Sequence, residues 1–68
     1  MIAAEQREAI PRAIAALPSP LRETLILRDV NGLNYRDIAE ATDAPVGTVM
    51  SRLHRARAML ARSLRAAI

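Results

Sequence analysis

Apolar residues recur with helical spacing through the last third of the chain, and this pattern constrains the fold more than any other feature. The steps are of three and four residues, at Val46, Val49, Leu53, Ala56, Leu60 and Leu64. We call this set the apolar seam. Steps of three and four place side chains on one side of an α-helix, and such a side is buried against other elements. The seam therefore predicts one long helix, from about residue 45 to near the C-terminus.

A short helix is predicted near the start of the chain. Ile10, Ile14 and Leu17 have helical spacing in an alanine-rich segment. Proline disrupts a helix interior but is tolerated in a first turn, so Pro11 is expected to open this helix. We predict a helix over about 11–17, preceded at most by a looser helical lead.

A second helix is predicted over about 20–30. Ser19 is a suitable N-cap, Pro20 suits the first helical position, and Gly32 follows the last turn. The apolar residues of this segment point in several directions: Leu21, Leu25, Ile26, Leu27 and Val30. A helix that is apolar nearly all round is buried at the centre of a bundle or is covered by a partner.

A third helix is expected to begin after Asn34, which is a good N-cap with Asp37 three residues later as in a capping box. Its end is indicated by the polar pair 42–43 and by Pro45. The side chains expected to face inward are Tyr35, Ile38 and Ala39. Only a short turn then separates the third helix from the long fourth one, which is the layout of a helix-turn-helix. The prediction is an all-α, four-helix domain without wing strands.

Charge is distributed very unevenly along the sequence. Residues 1–45 contain five arginines and all seven acidic residues, whereas residues 46–68 contain five arginines and no acid. A cationic helix of this kind suits a polyanion such as nucleic acid or an anionic membrane surface. The face opposite the seam contains Thr48, Ser51, Arg55, Arg62 and Arg65. Because about 21 Å of helix separates Thr48 from Arg62, we expect Arg62 and Arg65 to contact DNA backbone, a partner or solvent.

The first turns of the predicted fourth helix have the side chains that a major-groove contact needs. Gly47 would let the helix N-terminus approach a phosphate, whose charge the free N–H groups favour. Arg55 can bind guanine through two hydrogen bonds, and Ser51 can donate to or accept from most bases. These residues predict binding to duplex DNA.

Several other functions are excluded or disfavoured by the sequence. The 68 residues include no cysteine, and the single histidine, His54, has no companion ligands, so neither a disulfide framework nor a metal site is expected. Tyr35 is the only aromatic residue, which argues against stacking of single strands. No carboxylate, histidine or serine stands in a catalytic pattern. We expect a cytoplasmic protein without enzymatic activity, cofactor, small-molecule substrate or membrane association.

The sequence resembles region four of bacterial sigma factors of the extracytoplasmic-function (ECF) group. The resemblance covers about residues 17–65, nearly the whole chain. Its motifs are specific in combination, since an ordinary helix-turn-helix lacks both the leading Leu-Pro and the Gly-Thr-Val-x-Ser-Arg-Leu signature. The matching residues are Leu17-Pro18, Leu21-Arg22-Glu23, Leu27-Arg28-Asp29, Gly32-Leu33-Asn34-Tyr35, Ile38-Ala39-Glu40 and the run from Pro45 to Arg57.

The resemblance implies a four-helix domain that binds the −35 promoter element and docks on the β flap of RNA polymerase through apolar surface of its earlier helices. An anti-sigma factor is a further implied partner. The positions that match the family's base contacts are Met50, Ser51, His54 and Arg55. Those that match backbone contacts are Tyr35, Arg36, Gly47, Thr48 and Arg52. Since a full sigma factor also needs a region for the −10 element, we expect residues 1–68 to be one domain from a longer factor or a truncated relative.

Two residues depart from the family pattern. Met50 stands where the family often has lysine or arginine, so the DNA contact there is either missing or apolar, for example against a thymine methyl group. Asp43 stands where a glycine is usual in the turn. Aspartate tolerates the left-handed backbone conformation better than most residues, so the turn is still expected.

Two other functions stay open at this point. One is a stand-alone helix-turn-helix regulator that works without the β flap. The other is a role outside DNA binding, either a sigma-like decoy for an anti-sigma factor or an amphipathic helix on a membrane surface. The absence of interfacial aromatic residues and the presence of the turn motif both argue against the membrane alternative.

Overall fold

The structure is a computed structural model that describes the backbone of residues 4–67 and the side chains of residues 8–66. The ends of the expected domain, residues 1–3 and 68, lie outside the described residues. Between them the chain forms four helices and no strand. They are α1 (Ala4–Ala15), α2 (Ser19–Leu25, continued by a π-helical turn, Ile26–Val30), α3 (Tyr35–Thr42) and α4 (Val46–Ala67). Helices α1, α2 and α3 all contact α4, and the all-α, four-helix prediction is confirmed.

The hydrophobic core lies along the middle of the apolar seam. Its buried members are Leu17, Leu21, Leu25, Ile38, Val49, Leu53 and Ala56. The ends of the seam are different: Leu60 and Leu64 are half-buried, and Val46 is 41% exposed. The expectation that Val46 belongs to the core was therefore wrong: the buried part of the seam begins at Val49, and Val46, the first residue of α4, lies beyond it.

Helix α1 begins earlier than the sequence predicted. It runs from Ala4 to Ala15, so Pro11 lies inside it rather than in its first turn, and Leu17 lies in the turn that follows. Pro11 is exposed, so the carbonyl group left without an N–H partner can bind water, and the ring does not need space in the core. Leu17 is buried, and it anchors the α1–α2 turn to the core.

Helix α2 also differs in detail from its prediction. Its N-cap is Pro18, so Ser19 is already helical and its hydroxyl accepts a hydrogen bond from the Arg22 guanidinium at 3.2 Å. At the other end the helix widens, because the Asn31 N–H donates to the carbonyl of Ile26, five residues earlier. Gly32 then adopts a left-handed φ of 72°, as expected for the residue that ends the helix.

Helix α3 begins and ends where the sequence predicted, but among the described residues only one of the two hydrogen bonds of the expected capping box is formed. The Asp37 N–H donates to Asn34 Oδ1 at 2.8 Å, so Asn34 caps the helix. At the C-terminus Asp43 adopts φ 51° and ψ 49°, the left-handed conformation expected of it. The N–H groups of Asp43 and Ala44 donate back to the carbonyls of Glu40 and Ala39, which is the Schellman pattern of a helix end. Every helix between residues 4 and 67 is too short or too polar to cross a lipid bilayer.

Candidate nucleic-acid interface

The geometry of the interface is set by the contact of α3 with α4. Ile38 and Val49 are both 0% exposed, and Leu53 lies one turn further along α4 at 2%. The turn at Asp43 and Pro45 is short, so α3 fixes both the direction and the rotation of α4. The side of α4 opposite these buried residues therefore faces outward in one defined orientation.

The outward face of α4 contains the predicted base contacts. Ser51, His54 and Arg55 are all exposed at its centre, and Met50 is 52% exposed toward one border. Successive side chains of an α-helix point about 100° apart, which places Thr48 and Arg52 at the opposite border of this face. Both are half-buried. The structure thus brings all four predicted base contacts to one continuous surface.

The start of α4 is open to solvent. Gly47 is exposed, and a Cβ atom added there would meet nothing within 4 Å. Packing inside the protein consequently does not require glycine at this position. The N–H groups of Thr48 and Val49 donate to the Pro45 carbonyl, while the first N–H groups of any helix have no partner within that helix. Within the described residues the N–H groups of Val46 and Gly47, the first two of α4, form no hydrogen bond, and they lie at the exposed helix end where an anion can approach.

Tyr35 and Arg36 lie at the surface at the start of α3. Tyr35 was expected to face inward as well as to contact a DNA backbone, and the structure contradicts the first expectation: the residue is 36% exposed. The guanidinium of Arg28 lies 5.1 Å from the centre of the ring, and its Nη1 donates to the Leu33 carbonyl at 2.9 Å. This cation–π contact fixes the ring at the surface. The sequence held no local signal for it, because Arg28 is seven residues away.

The arginines within residues 8–66 divide into three groups by what they contact, and the smallest is Arg12 alone, which pairs with Glu8 inside α1 at 3.6 Å. Arg22 donates to the Ala15 carbonyl at 3.1 Å, and Arg57 forms an ion pair with Asp29 at 2.9 Å. Arg22, Arg28 and Arg57 thus join one structural element to another. Composition alone could not show which arginines have this role. Within residues 8–66, the arginines that form no ion pair or hydrogen bond through their side chains are Arg36, Arg52, Arg55, Arg62 and Arg65.

Comparison with known families matches this arrangement to a family model, "Sigma-70, region 4", over residues 7–60. The chain belongs to the sigma-70 region 4 family. This confirms the resemblance proposed from the sequence. The region 4 match begins ten residues before Leu17, so it includes most of α1. It ends at Leu60, so Arg62 and Arg65 lie beyond it.

Individual relatives of this region 4 chain are ECF RNA polymerase sigma-E factors. That of Escherichia coli strain K12 is 47% identical over 57 residues, which cover 84% of this chain and 30% of the relative. That of Salmonella typhi gives the same values. That of Haemophilus influenzae is 45% identical over 60 residues, covering 88% of this chain and 32% of the relative. The chain thus spans about a third of the length of the relatives that it matches.

A cluster of metal ligands and a groove beside the turn are the other features that could form a site. No group of three or more histidine, aspartate or glutamate side chains within residues 8–66 is placed to hold a metal ion. A shallow groove lies beside the turn between α3 and α4, lined by Arg36, Ala39, Glu40, Asp43, Ala44 and Pro45. The charged residues that line the groove, Arg36, Glu40 and Asp43, are all exposed. The groove is open to solvent and lies next to the outward face of α4.

Proposed function

We propose that this chain is the part of an ECF sigma factor that binds the −35 promoter element as duplex DNA and docks on RNA polymerase to direct transcription initiation. One observation carries the proposal: the first turns of α4 expose Ser51, His54 and Arg55 on a face that Ile38 and Val49 hold rigidly from behind. Helix α4 also contains no acidic residue, so nothing on it repels phosphate.

The residues divide into two roles according to position and chemistry. Those at the centre of the outward face and at its apolar border are the proposed base contacts: Met50, Ser51, His54 and Arg55. Those around the helix start, the polar border and the start of α3 are the proposed DNA backbone contacts: Tyr35, Arg36, Gly47, Thr48 and Arg52. Backbone contacts supply affinity and orientation, whereas base contacts supply sequence preference.

A selection of duplexes from a randomised library by the full chain tests this function. We expect one short sequence to be enriched at two salt concentrations, with affinity falling as salt rises because phosphate contacts release counterions. Enrichment of no sequence, together with equal affinity for all duplexes, would contradict a promoter-binding role. The salt dependence of the affinity also gives the number of phosphates contacted.

Docking on RNA polymerase is the second part of the proposal, and the apolar end of α2 supports it. Val30 is 72% exposed, and Ile26 and Leu27 beside it are half-buried, so an apolar surface is open to a partner. We propose that the β flap of the polymerase covers it in the cytoplasm, and that an anti-sigma factor competes for this surface or for the α4 face. The isolated flap should bind the chain at micromolar concentration, and Val30→Asp should abolish binding without affecting the fold. Absence of binding would favour a stand-alone regulator.

A further inference from the structure

The two borders of the outward face of α4 differ in chemistry. Thr48 and Arg52 lie one turn apart on the polar border, and their side chains suit phosphate. Val46 and Met50 lie one turn apart on the opposite border, and both are apolar and exposed, Val46 at 41% and Met50 at 52%. The exposed centre between the borders is polar. A helix that needed this surface only for phosphate would have no use for an apolar border.

Exposure of large apolar side chains on α4 is confined to its first turns. Among the side chains described for this helix, Val46 and Met50 are the large apolar ones that are exposed, and both lie within its first five residues. Met59, the other methionine of the helix, is half-buried and packs against the core. The exposed methionine therefore stands where the proposed DNA contacts are concentrated, next to Ser51 and one turn before His54.

The chemistry of methionine restricts what Met50 can recognise. The thioether has no donor and is only a weak acceptor, so it cannot distinguish bases by hydrogen bonds. Thymine is the base that presents a methyl group in the major groove, and apolar side chains select it by contact with that group. Methionine is also flexible and polarizable, which lets it adapt to the position of the methyl group.

We propose that Met50 determines specificity at one position of the −35 element by packing against the C5 methyl group of a thymine. The inference rests on the proposed DNA-binding function and adds a specific base to it. It divides the helix into an apolar border that selects thymine, a centre that forms hydrogen bonds with base edges, and a polar border that contacts phosphate.

Replacement of thymine by deoxyuridine tests the inference, because uracil lacks only the methyl group. Each thymine of the duplex selected by the full chain is replaced singly, on either strand, and binding is measured by fluorescence anisotropy. We expect the unmodified chain to lose about fourfold in affinity at one thymine, the factor for removing one methyl group from an apolar contact. Met50→Leu keeps an apolar side chain and should keep this loss.

Met50→Gln has nearly the same length but a polar end, and it should bind the thymine and deoxyuridine duplexes equally at that position. Circular dichroism checks that this substitution at an exposed position leaves the helices intact. The deoxyuridine series on the unmodified chain changes only the DNA, so it does not depend on the folding of a variant. The inference is overturned, with the proposed function intact, if a sequence is selected but no thymine is sensitive to loss of its methyl group, or if Met50→Gln keeps the same sensitivity. If no sequence is selected, both fail together.

Discussion

The two halves of α4 both expose arginine side chains, but they differ in how deeply their apolar sides are buried against the other helices. In the first half, Val49, Leu53 and Ala56 are at most 2% exposed. In the second half the residues that continue the seam, Leu60 and Leu64, are only half-buried. Arginines project from both halves.

This difference shows that an exposed arginine is not by itself a base contact. A side chain that selects a base has to be held within a fraction of an ångström by the elements behind it. Arg55 lies beside the most deeply buried part of the seam and close to the turn from α3. Arg62 and Arg65 share its outward direction but lie beyond that support, so we expect them to contribute charge without sequence preference.

The largest expected difference between the halves is in stability. Leu53→Ala removes a side chain that is 2% exposed and should lower the free energy of unfolding by about 2–5 kcal/mol. Leu64→Ala, the matched change in the second half, should cost only about 1 kcal/mol because its side chain is partly in water already. Urea denaturation followed by circular dichroism measures both. Equal losses would show that the two halves are anchored alike.

The next effect is on DNA binding. Arg55→Ala should weaken binding to the selected duplex by about 1–3 kcal/mol, the usual value of a bidentate base contact, and binding to a scrambled duplex much less. Arg62→Ala is the control of equal charge, and it should weaken binding to both duplexes equally. Anisotropy titrations of the unmodified chain and both variants with the two duplexes, at one salt concentration, give all six affinities. If Arg55→Ala also affects both duplexes equally, Arg55 is a phosphate contact.

A smaller effect is expected at the turn that anchors the first half. Asp43 holds a left-handed conformation, with φ at 51°, which costs a residue with a side chain more than it costs glycine. Asp43→Gly should therefore raise the free energy of unfolding by about 0.5–1 kcal/mol, the left-handed penalty of about 1–2 kcal/mol less the extra backbone entropy that glycine loses on folding. Asp43→Ala keeps a Cβ atom but introduces a residue that adopts the left-handed conformation less readily than aspartate, so it should be destabilising. The prediction fails if glycine and alanine have effects of the same sign.

The smallest effect is expected at the junction of the two halves. Arg57 pairs with Asp29 of the π-helical turn at 2.9 Å, but both side chains are about half exposed. A double-mutant cycle with Arg57→Gln and Asp29→Asn should give a coupling energy of about 0.2–1 kcal/mol that decreases with added salt. A coupling that is independent of salt would mean that the contact is something other than an exposed ion pair.

The sequence predicted those features that local chemistry decides. Asn34 as a cap, Gly32 as a stop and Asp43 as a left-handed residue follow from side-chain and backbone preferences within a few residues. The apolar seam predicts which side of α4 is buried. Helical periodicity then places Ser51 and Arg55 on the opposite, exposed side.

Other features depend on contacts that a linear pattern does not contain. Pro11 lies inside α1 because its side of the helix faces water, and this depends on how α1 packs. Tyr35 lies at the surface with its ring 5.1 Å from the Arg28 guanidinium, and Arg28 belongs to a π-helical turn that no local pattern predicted. Val46 continues the seam in spacing, but its exposure depends on where the neighbouring helices end.

The most direct test of the account is a titration of the ¹⁵N-labelled chain with the selected duplex, followed by NMR. We expect the largest amide shifts in two segments, residues 34–36 at the start of α3 and residues 46–55 in the first half of α4. Residues 60–66 should shift little, because their arginines add charge without a fixed contact. Largest shifts in residues 60–66, or in the π-helical turn at 26–30, would contradict the claim that the anchored half of α4 is the DNA-binding surface.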